Sequence, residues 1–163
     1  MSVEIVYPRE EYFESFHRAL DAVARERVYI EMTEAPPLES VRRFQAALIA
    51  RDGPGYYALD GEQVVGWCDV FPHENPRHAH RGSLGMGCVP GYRGRGIGSR
   101  LLEATLAHAA RFGLEKVELH VYTSNTAAIR LYEKFGFERE GLLRSYRKLD
   151  GVTFDCLAMA KLS

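Results

Sequence analysis

A glycine- and arginine-rich segment in the second half of the chain has the residue types that bind phosphate groups. Gly94, Gly96 and Gly98 alternate with Arg93 and Arg95, after an apolar stretch and before a helical pattern. Glycines let the backbone approach a ligand closely, and the first turn of a helix presents unpaired N–H groups at the positive end of the helix dipole. Two guanidinium groups add positive charge beside those donors. The segment therefore predicts a site for a phosphate or a pyrophosphate.

The spacing of this segment argues against two common phosphate-binding loops. A nucleoside triphosphate loop that used Gly91 and Gly96 would continue with Lys-Ser or Lys-Thr, but this chain continues with Ile-Gly. A dinucleotide fingerprint that began at Gly94 would have a third glycine at Ser99. It would also need an acidic residue after the next strand, whereas Thr-Ser-Asn follows the predicted strand at residues 116–122. Neither nucleotide-binding loop is expected.

A second segment, one predicted strand further on, completes a recognisable pair. Residues 125–137 read Asn-Thr-Ala-Ala-Ile-Arg-Leu-Tyr-Glu-Lys-Phe-Gly-Phe. This segment resembles N-x-x-A-x-x-x-Y-x-x-x-G-F, the second acyl-CoA segment of the GNAT family of N-acetyltransferases. Residues 93–98 resemble the pyrophosphate loop of that family, R/Q-x-x-G-x-G/A. The two motifs occur in the family's order, and the resemblance covers residues 56–161 well and the first 55 in outline. It is strongest to the branch with small-molecule, amino-acid and phosphinothricin-like acetyltransferases.

The resemblance implies acetyl-CoA as the cosubstrate, without a covalent cofactor, and assigns a set of binding residues. The implied cofactor-binding residues are Gly87, Cys88, Val89, Arg93, Gly94, Arg95, Gly96, Ile97, Gly98, Ser99, Asn125, Ala128 and Tyr132. Backbone N–H groups around Cys88 and Val89 would bind the thioester oxygen, and Gly87 and Val89 would pair with the pantetheine arm. Asn125 would hydrogen-bond the pantetheine or order a nearby water.

Tyr132 is the implied general acid. A phenol with a pKa of about 10 can share a proton with a leaving thiolate whose thiol has a pKa of about 8.5. The alternative is a packing role, because Ala128, Leu131 and Phe135 stand at helical spacing around Tyr132.

The general base is not evident from the motifs. Many family members have a Glu on the fourth strand, whereas residues 84–89 read Leu-Gly-Met-Gly-Cys-Val. Carboxylates and imidazoles of the nearby loops and of the third strand are the candidates, acting directly or through water. These candidates are Glu31, Glu34, Asp69, His73, Glu74, His78 and His80. Covalent catalysis by Cys88 is an alternative, but direct attack by the amine in a ternary complex is favoured, with Cys88 as a small buried residue.

The loop before the second helix is expected to line the mouth of the acceptor site. Its candidate contacts are Tyr29, Glu31 and Glu34. The two carboxylates can attract an ammonium group, while Arg77 or Arg81 can hold a carboxylate. These charges favour a primary amine on an amino acid or a related small zwitterion. A protein N-terminal or lysine acetyltransferase would share every CoA residue, and a noncatalytic acyl-CoA-binding module would keep the glycine loop, so both remain alternatives.

The composition agrees with a small enzyme that has a local basic site. The 163-residue chain has 21 Lys and Arg against 22 Asp and Glu, so bulk attraction to nucleic acid or to a membrane is not expected. Cys68, Cys88 and Cys156 form no C-x-x-C pair, which argues against disulfides and a cysteine zinc site and suits a reducing cytoplasm. The histidines before the fourth strand lack further ligands, so no metal is expected. The N-terminus has no signal pattern and no apolar run reaches a membrane-spanning length.

Hydrophobic periods and turn residues predict the elements that position these side chains. They predict a strand over 3–7, helices over 8–27 and 38–51, strands over 56–59, 64–71 and 83–89, a helix over 96–113, a strand over 116–122, a helix over 125–135, and two strands around 149–152. This order, βααβββαβαββ, is the GNAT order. The resemblance implies one α/β (α+β) domain over residues 1–163, a mixed twisted sheet of about seven strands with four helices, and a V-shaped splay between strands 4 and 5. Many relatives are dimers, so it also implies a homodimer.

Overall fold

The computed structural model describes residues 2–163 and confirms the predicted order of elements. The strands are β1 (Val3–Val6), β2 (Gly55–Asp60), β3 (Gln63–Pro72), β4 (Arg81–Cys88), β5 (Lys116–Tyr122), β6 (Glu138–Leu149) and β7 (Val152–Leu162). The helices are α1 (Phe13–Arg25), α2 (Leu38–Ala50), α3 (Ile97–Phe112) and α4 (Thr126–Lys134), with a 3₁₀ turn (Glu10–Tyr12) before α1. The seven strands are hydrogen-bonded in the order β1-β2-β3-β4-β5-β7-β6, in which β4 and β5 are parallel.

The chain forms two compact units, and β4 contributes residues to both. The first unit runs to Phe71 and resumes over Gly85–Gly113, so it contains α1, α2, α3, the first three strands and the end of β4. The second unit comprises Pro72–Leu84 and Leu114–Ser163, with the start of β4, the last three strands and α4.

In the first unit, neighbouring residues of β2 pack against helices on opposite faces of the sheet, because side chains alternate along a strand. Tyr57 stacks on Phe16 of α1 with ring centroids 4.9 Å apart, and Phe16 also meets Trp67 of β3 edge-on at 5.6 Å. Tyr56 points the other way and its hydroxyl lies 3.1 Å from Nδ1 of His108 in α3. β2 is therefore covered by helices on both faces of the sheet.

In the second unit, β5 is paired on both sides. It pairs in parallel with β4 from Arg81 with Lys116 to Ser83 with Glu118, and antiparallel with β7 along its whole length. The splay of β4 from β5 beyond these three pairs stays a prediction. β6 and β7 form a long antiparallel pair with irregularities between Arg139 and Gly141 and between Leu143 and Arg147.

The structure differs from the sequence prediction mainly at the first helix. The predicted helix over 8–27 is a 3₁₀ turn followed by α1, which ends at Arg25. Arg27 has a φ of 62°, a left-handed conformation that cannot continue a right-handed helix. None of the helices in residues 2–163 combines the length and the apolar character that a bilayer crossing requires.

Candidate active site

The loop between β4 and α3, in the first unit, exposes backbone rather than side chains. Gly91, Gly94 and Gly96 have φ values of 91°, 75° and 78°, a region that favours glycine. A Cβ placed on any of these three would meet no atom of the described residues within 4 Å. Gly96 is the N-cap of α3, and no side chain in the described part of the chain caps the helix. The first N–H groups of α3 therefore face an open surface, which is the arrangement that anions bind.

The Arg93 guanidinium is held by residues that follow α1. It donates two hydrogen bonds to the Glu26 carboxylate, at 2.8 and 2.5 Å, and its Cζ lies 4.3 Å from the centroid of the Tyr29 ring. Arg93, which is predicted to bind a phosphate, thus contacts Tyr29, which is predicted to contact the acceptor. Glu26 thus competes with a phosphate for this guanidinium, while the Cζ of Arg95 lies 5.2 Å from the Tyr92 ring centroid. Phosphate binding by Arg93 and Arg95 stays a prediction.

The backbone direction at the end of β4 changes two of the expected roles. The Val89 N–H donates to the Val65 carbonyl of β3 at 2.9 Å, so it does not serve as the predicted donor to a thioester oxygen. Backbone groups alternate between the two edges of a strand, so Gly87 also faces β3 while the Cys88 N–H faces the opposite edge. The expected pairing of Val89 with a pantetheine arm is corrected for the same reason, and the pairing of Gly87 stays a prediction. The Cys88 N–H remains a candidate donor to the thioester oxygen.

Gly87 has a packing reason of its own. A Cβ at this position would lie 2.4 Å from Cη2 of Trp67, so only glycine leaves room for the indole ring.

The Cys88 thiol is neutral at neutral pH. Burial raises its pKa above the ordinary value, while the charges of Arg93 and Arg95 oppose that rise. A thiol is a weak nucleophile until it ionises, so this environment favours the direct attack of an amine over covalent catalysis by Cys88.

A carboxyl group lies among glycines in the middle of the first unit. Asp69 on β3 pairs with Gly55 on β2, and its Oδ1 lies 3.6 Å from the position that a Cβ of Gly85 would take on β4. The Gln45 side chain of α2 hydrogen-bonds this carboxyl. Burial raises the pKa of Asp69 to about 7, although the hydrogen bond from Gln45 opposes the rise.

The other base candidates are solvated or paired. His73, in the second unit, lies 2.7 Å from Oε1 of Glu118, and Arg81 contacts both side chains. Burial alone would raise the pKa of Glu118, but hydrogen bonds from His73 and Arg81 hold it below the usual value. The role predicted for Arg81, holding a substrate carboxylate, therefore competes with an ion pair inside the protein.

Glu34 forms an exposed ion pair with Arg25 at 3.5 Å. The remaining candidates are exposed, and they are Glu31 in the loop before α2 and Glu74, His78 and His80 in the connection before β4. Within residues 2–163, no group of three or more His, Cys, Asp and Glu side chains is arranged to hold a metal ion.

The segment that resembles the second acyl-CoA motif, residues 125–137, contains the whole of α4 and lies in the second unit. Asn125 is the N-cap, and its Oδ1 accepts a hydrogen bond from the Ala128 N–H at 3.3 Å. Tyr132 is buried, with its ring centroid 5.6 Å from that of Phe137. The contact with Phe137 supports a packing role for Tyr132. Its role as a general acid stays a prediction.

Two residues of the candidate site, Glu26 and Gln45, belong to no sequence motif and were not predicted from the sequence. Glu26 lies in no recognisable segment. Gln45 had a signal, because it stands on the same face of α2 as the buried Val41 and Leu48. A polar residue on an apolar helical stripe needs a hydrogen-bond partner in the core.

Comparison with known proteins places the chain in a family. The model of the acetyltransferase (GNAT) family matches residues 11–137. The L-amino acid N-acetyltransferase AaaT of Escherichia coli is 30% identical over 116 residues, which cover 68% of this chain and 71% of that protein. The N-alpha-acetyltransferase RimI of Mycobacterium tuberculosis is 48% identical over 101 residues, 58% of each chain. A mycothiol acetyltransferase of Geodermatophilus obscurus is 37% identical over 102 residues, which cover 60% of this chain but only 33% of that longer protein.

Solved structures share the fold. A GNAT-family acetyltransferase from Streptococcus pneumoniae matches with a TM-score of 0.92 and 23% identity, over 99% of this chain and 100% of that one. A phosphinothricin acetyltransferase from Sinorhizobium meliloti, solved with acetyl-CoA, matches with a TM-score of 0.91 and 18% identity, over 99% and 89% of the two chains. With the family model matching most of its length, the chain belongs to the acetyltransferase (GNAT) family.

Proposed function

We propose that this protein transfers the acetyl group of acetyl-CoA to the primary amine of a small molecule, an amino acid or a close relative, in a ternary complex. The observation that carries the proposal is the open glycine loop at the start of α3, in a chain of the GNAT family. The match to an L-amino acid N-acetyltransferase over more than two thirds of both chains supports a small acceptor. One catalytic domain over residues 1–163, a homodimer and a cytoplasmic location belong to the same proposal.

The glycine loop fits the diphosphate of an acyl-CoA. A Cβ at Gly94 or Gly96 would point into open space, so the surface beside the uncapped N–H groups of α3 has room for phosphate oxygens. The helix dipole and the charge of Arg95 favour the same anion. Ile97 is buried under the loop and anchors it, while Gly98 and Ser99 lie in the first turn of α3.

Acetyl-CoA supplies an already activated acetyl group, so the protein chiefly has to orient the amine and stabilise developing charge. The Cys88 N–H, on the edge of β4 that faces away from β3, is the donor we assign to the oxyanion. Asn125 caps α4 and fixes the start of the helix that carries Tyr132. We assign Tyr132 the proton that the leaving sulfur takes up, on the strength of its place in the second motif.

The loop before α2 is the proposed mouth of the acceptor site. It is anchored at its far end, where Asp21 accepts a hydrogen bond from the Ala35 N–H at 3.0 Å and Nε2 of His17 lies 2.8 Å from the Pro36 carbonyl oxygen. At its near end, Tyr29 packs under the Arg93 guanidinium. Glu31 adds negative charge that attracts an ammonium group.

A protein N-terminus is the second candidate acceptor. The 48% identity to an N-alpha-acetyltransferase favours it, because that relative is named for acetylating an α-amino group. Free amino acids and peptide N-termini present the same nucleophile, so the two candidates differ in the room around the amine and not in its chemistry.

The test is thiol release from acetyl-CoA by the purified protein, with separate pools of amino acids, polyamines, amino sugars and N-terminal peptides. We expect release with the amino acid pool, and we expect Tyr132→Phe to lower kcat roughly 10²-fold or more while acetyl-CoA still raises the melting temperature. Tyr146→Phe is the control, because Tyr146 is a half-exposed side chain of β6.

Each other outcome has a definite meaning. Release only with peptides would establish the second candidate. If no pool supports thiol release but acetyl-CoA still raises the melting temperature, the protein is a noncatalytic acyl-CoA-binding module. If there is neither thiol release nor a thermal shift, acetyl-CoA binding itself is refuted.

A further inference from the structure

We propose that Asp69 is the general base that removes a proton from the ammonium group of the acceptor. This inference rests on the proposed function and deepens it, because the acetyl-transfer motifs assign no base. Residues 84–89 of β4 contain no carboxylate. The Asp69 carboxyl instead reaches the space beside Gly85 from the neighbouring strand.

A glycine on the neighbouring strand leaves this carboxyl partly exposed. Asp69 pairs with Gly55 on β2, where the Leu48 side chain of α2 fills the space that a Cβ would take, and Gly85 lies beside it on β4. A Cβ at Gly85 would meet only the Asp69 carboxylate within 4 Å in the described residues, so the β4 side of the carboxyl is open. Asp69 is consequently only half-buried although its strand lies inside the first unit, whereas the adjoining Cys68 and Val70 are fully buried.

A buried relay fixes the orientation of the carboxyl. The Tyr57 hydroxyl donates to Oε1 of Gln45 at 2.6 Å, so the oxygen of that amide is committed and its Nε2 is left to donate to Asp69. Gln45 is 4% exposed and Tyr57 is 1% exposed, so water does not compete for these bonds. Both act through Asp69 and are positioning residues.

The groups around Asp69 set the pKa of its carboxyl group. The elements packed around Asp69 are β2, β4 and α2. Their residues nearest to its carboxyl group include Tyr57, Gly85 and Gln45 respectively. The titratable groups that interact with it are Tyr57 and, next along β3, Cys68. Burial raises the pKa of both well above their ordinary values, so both are neutral at neutral pH. The pKa of Asp69 itself, about 7, is suited to exchanging a proton near neutrality.

The proton balance of the step is complete. Asp69 accepts one proton from the alkylammonium and the neutral amine attacks the acetyl carbon, forming the C–N bond. The C–S bond breaks, and the sulfur receives the second proton of the nitrogen by way of Tyr132. Asp69 then releases its proton to water, so that one proton is produced for each acetyl transferred.

The first experiment measures pH–rate profiles of the wild type and of Asp69→Asn with the amine pool that supports turnover. The wild type should lose kcat/KM on the acid side with a midpoint near pH 7. Asp69→Asn should lower kcat roughly 10²-fold or more and remove that acid limb, while the thermal shift with acetyl-CoA is unchanged. Glu118→Gln is the matched control, because it removes another half-buried sheet carboxylate and should keep the limb.

The second experiment shifts the acid limb of the pH–rate profile without a substitution at Asp69. The double variant Gln45→Met/Tyr57→Phe removes both ends of the relay hydrogen bond, so no buried donor is left unpaired. Because the hydrogen bond from Gln45 favours the ionised carboxylate, its loss should shift the acid limb to higher pH by roughly one unit. A purely structural role of the relay would lower stability and leave the midpoint in place.

A third readout does not need turnover. NMR titration of the Asp carboxyl carbons in the wild type, assigned with Asp69→Asn, should give Asp69 a midpoint near pH 7, and a midpoint near 4 would overturn the inference. An active wild type whose Asp69→Asn variant keeps the acid limb would overturn the inference alone. A wild type that releases no thiol with any amine would refute the proposed function, and the inference with it.

Discussion

At the scale of single residues, the Cys88 thiol is expected to be a bystander. Burial raises its pKa, against the opposing effect of Arg93 and Arg95. We therefore expect Cys88→Ala to keep kcat within a factor of about three of the wild type, whereas the loss of a covalent nucleophile costs several orders of magnitude. Steady-state kinetics and mass spectrometry of the protein after incubation with acetyl-CoA check this. An acetylated intermediate that persists in Cys156→Ala and disappears in Cys88→Ala would contradict it.

Residue types at the site follow from the sequence, but their pairings do not. The Arg-Gly alternation identifies an anion loop, yet the Arg93 guanidinium pairs with Glu26, 67 positions away in the chain. Asp69 is one carboxylate among several in the sequence, and only the fold places it between Gly55 and Gly85. Contacts of this kind join residues that are far apart in the chain, so no local sequence pattern predicts them.

At the scale of elements, the sequence predicts most of the fold because its signals are local. The helix over Leu38–Ala50 ends before Asp-Gly-Pro-Gly, as predicted, while the hairpin of β2 and β3, predicted to turn at Asp60 and Gly61, turns one residue later at Gly61 and Glu62. The end of α1 was missed because Arg27 takes a left-handed conformation without being a glycine or a proline. The direction of the Val89 N–H was missed because strand parity depends on the pairing with β3.

The start of α3 gives a prediction at the same scale. Gly96 has a φ of 78° and open space around it, so Gly96→Ala makes no clash but strains the backbone by about 1–2 kcal/mol. We expect a fall in melting temperature of roughly 2–8 °C and at least a tenfold weaker binding of acetyl-CoA, because the methyl group would occupy the open space in which the diphosphate is proposed to bind. Calorimetry measures both.

The matched control for Gly96→Ala is Gly61→Ala, in the turn between β2 and β3. Gly61 has a φ of 64° and likewise no atom of the described residues within 4 Å of an added Cβ. It should show a similar loss of stability with unchanged binding of acetyl-CoA. Equal weakening of acetyl-CoA binding in both variants would mean that backbone strain, and not the methyl group in the proposed diphosphate site, is responsible.

At the scale of the whole molecule, the residues to which we assign roles occur in both units. The glycine loop, Cys88 and Asp69 belong to the first unit, and Asn125 and Tyr132 belong to the second. Burial of an ionisable group at a functional site shifts its pKa away from the ordinary value, and this shift lowers the stability of the folded protein at a pH where the group is charged. Asp69 is the clearest case, since burial keeps its pKa near 7.

The stability of the protein should therefore rise when Asp69 loses its charge. An acid whose folded pKa is raised binds more protons in the folded state than in the unfolded one, so it makes stability fall as pH rises from about 4 to about 7. We expect Asp69→Asn to melt on the order of 5 °C above the wild type at pH 8, with the difference vanishing near pH 4. Glu118→Gln should do the opposite, because the lowered pKa of Glu118 stabilises the fold at neutral pH. Thermal unfolding of the three proteins from pH 4 to pH 8 decides the matter. If Asp69→Asn were the less stable protein at pH 8, the ionised carboxylate would be fully satisfied in the fold, and the strain expected of a buried base would be absent.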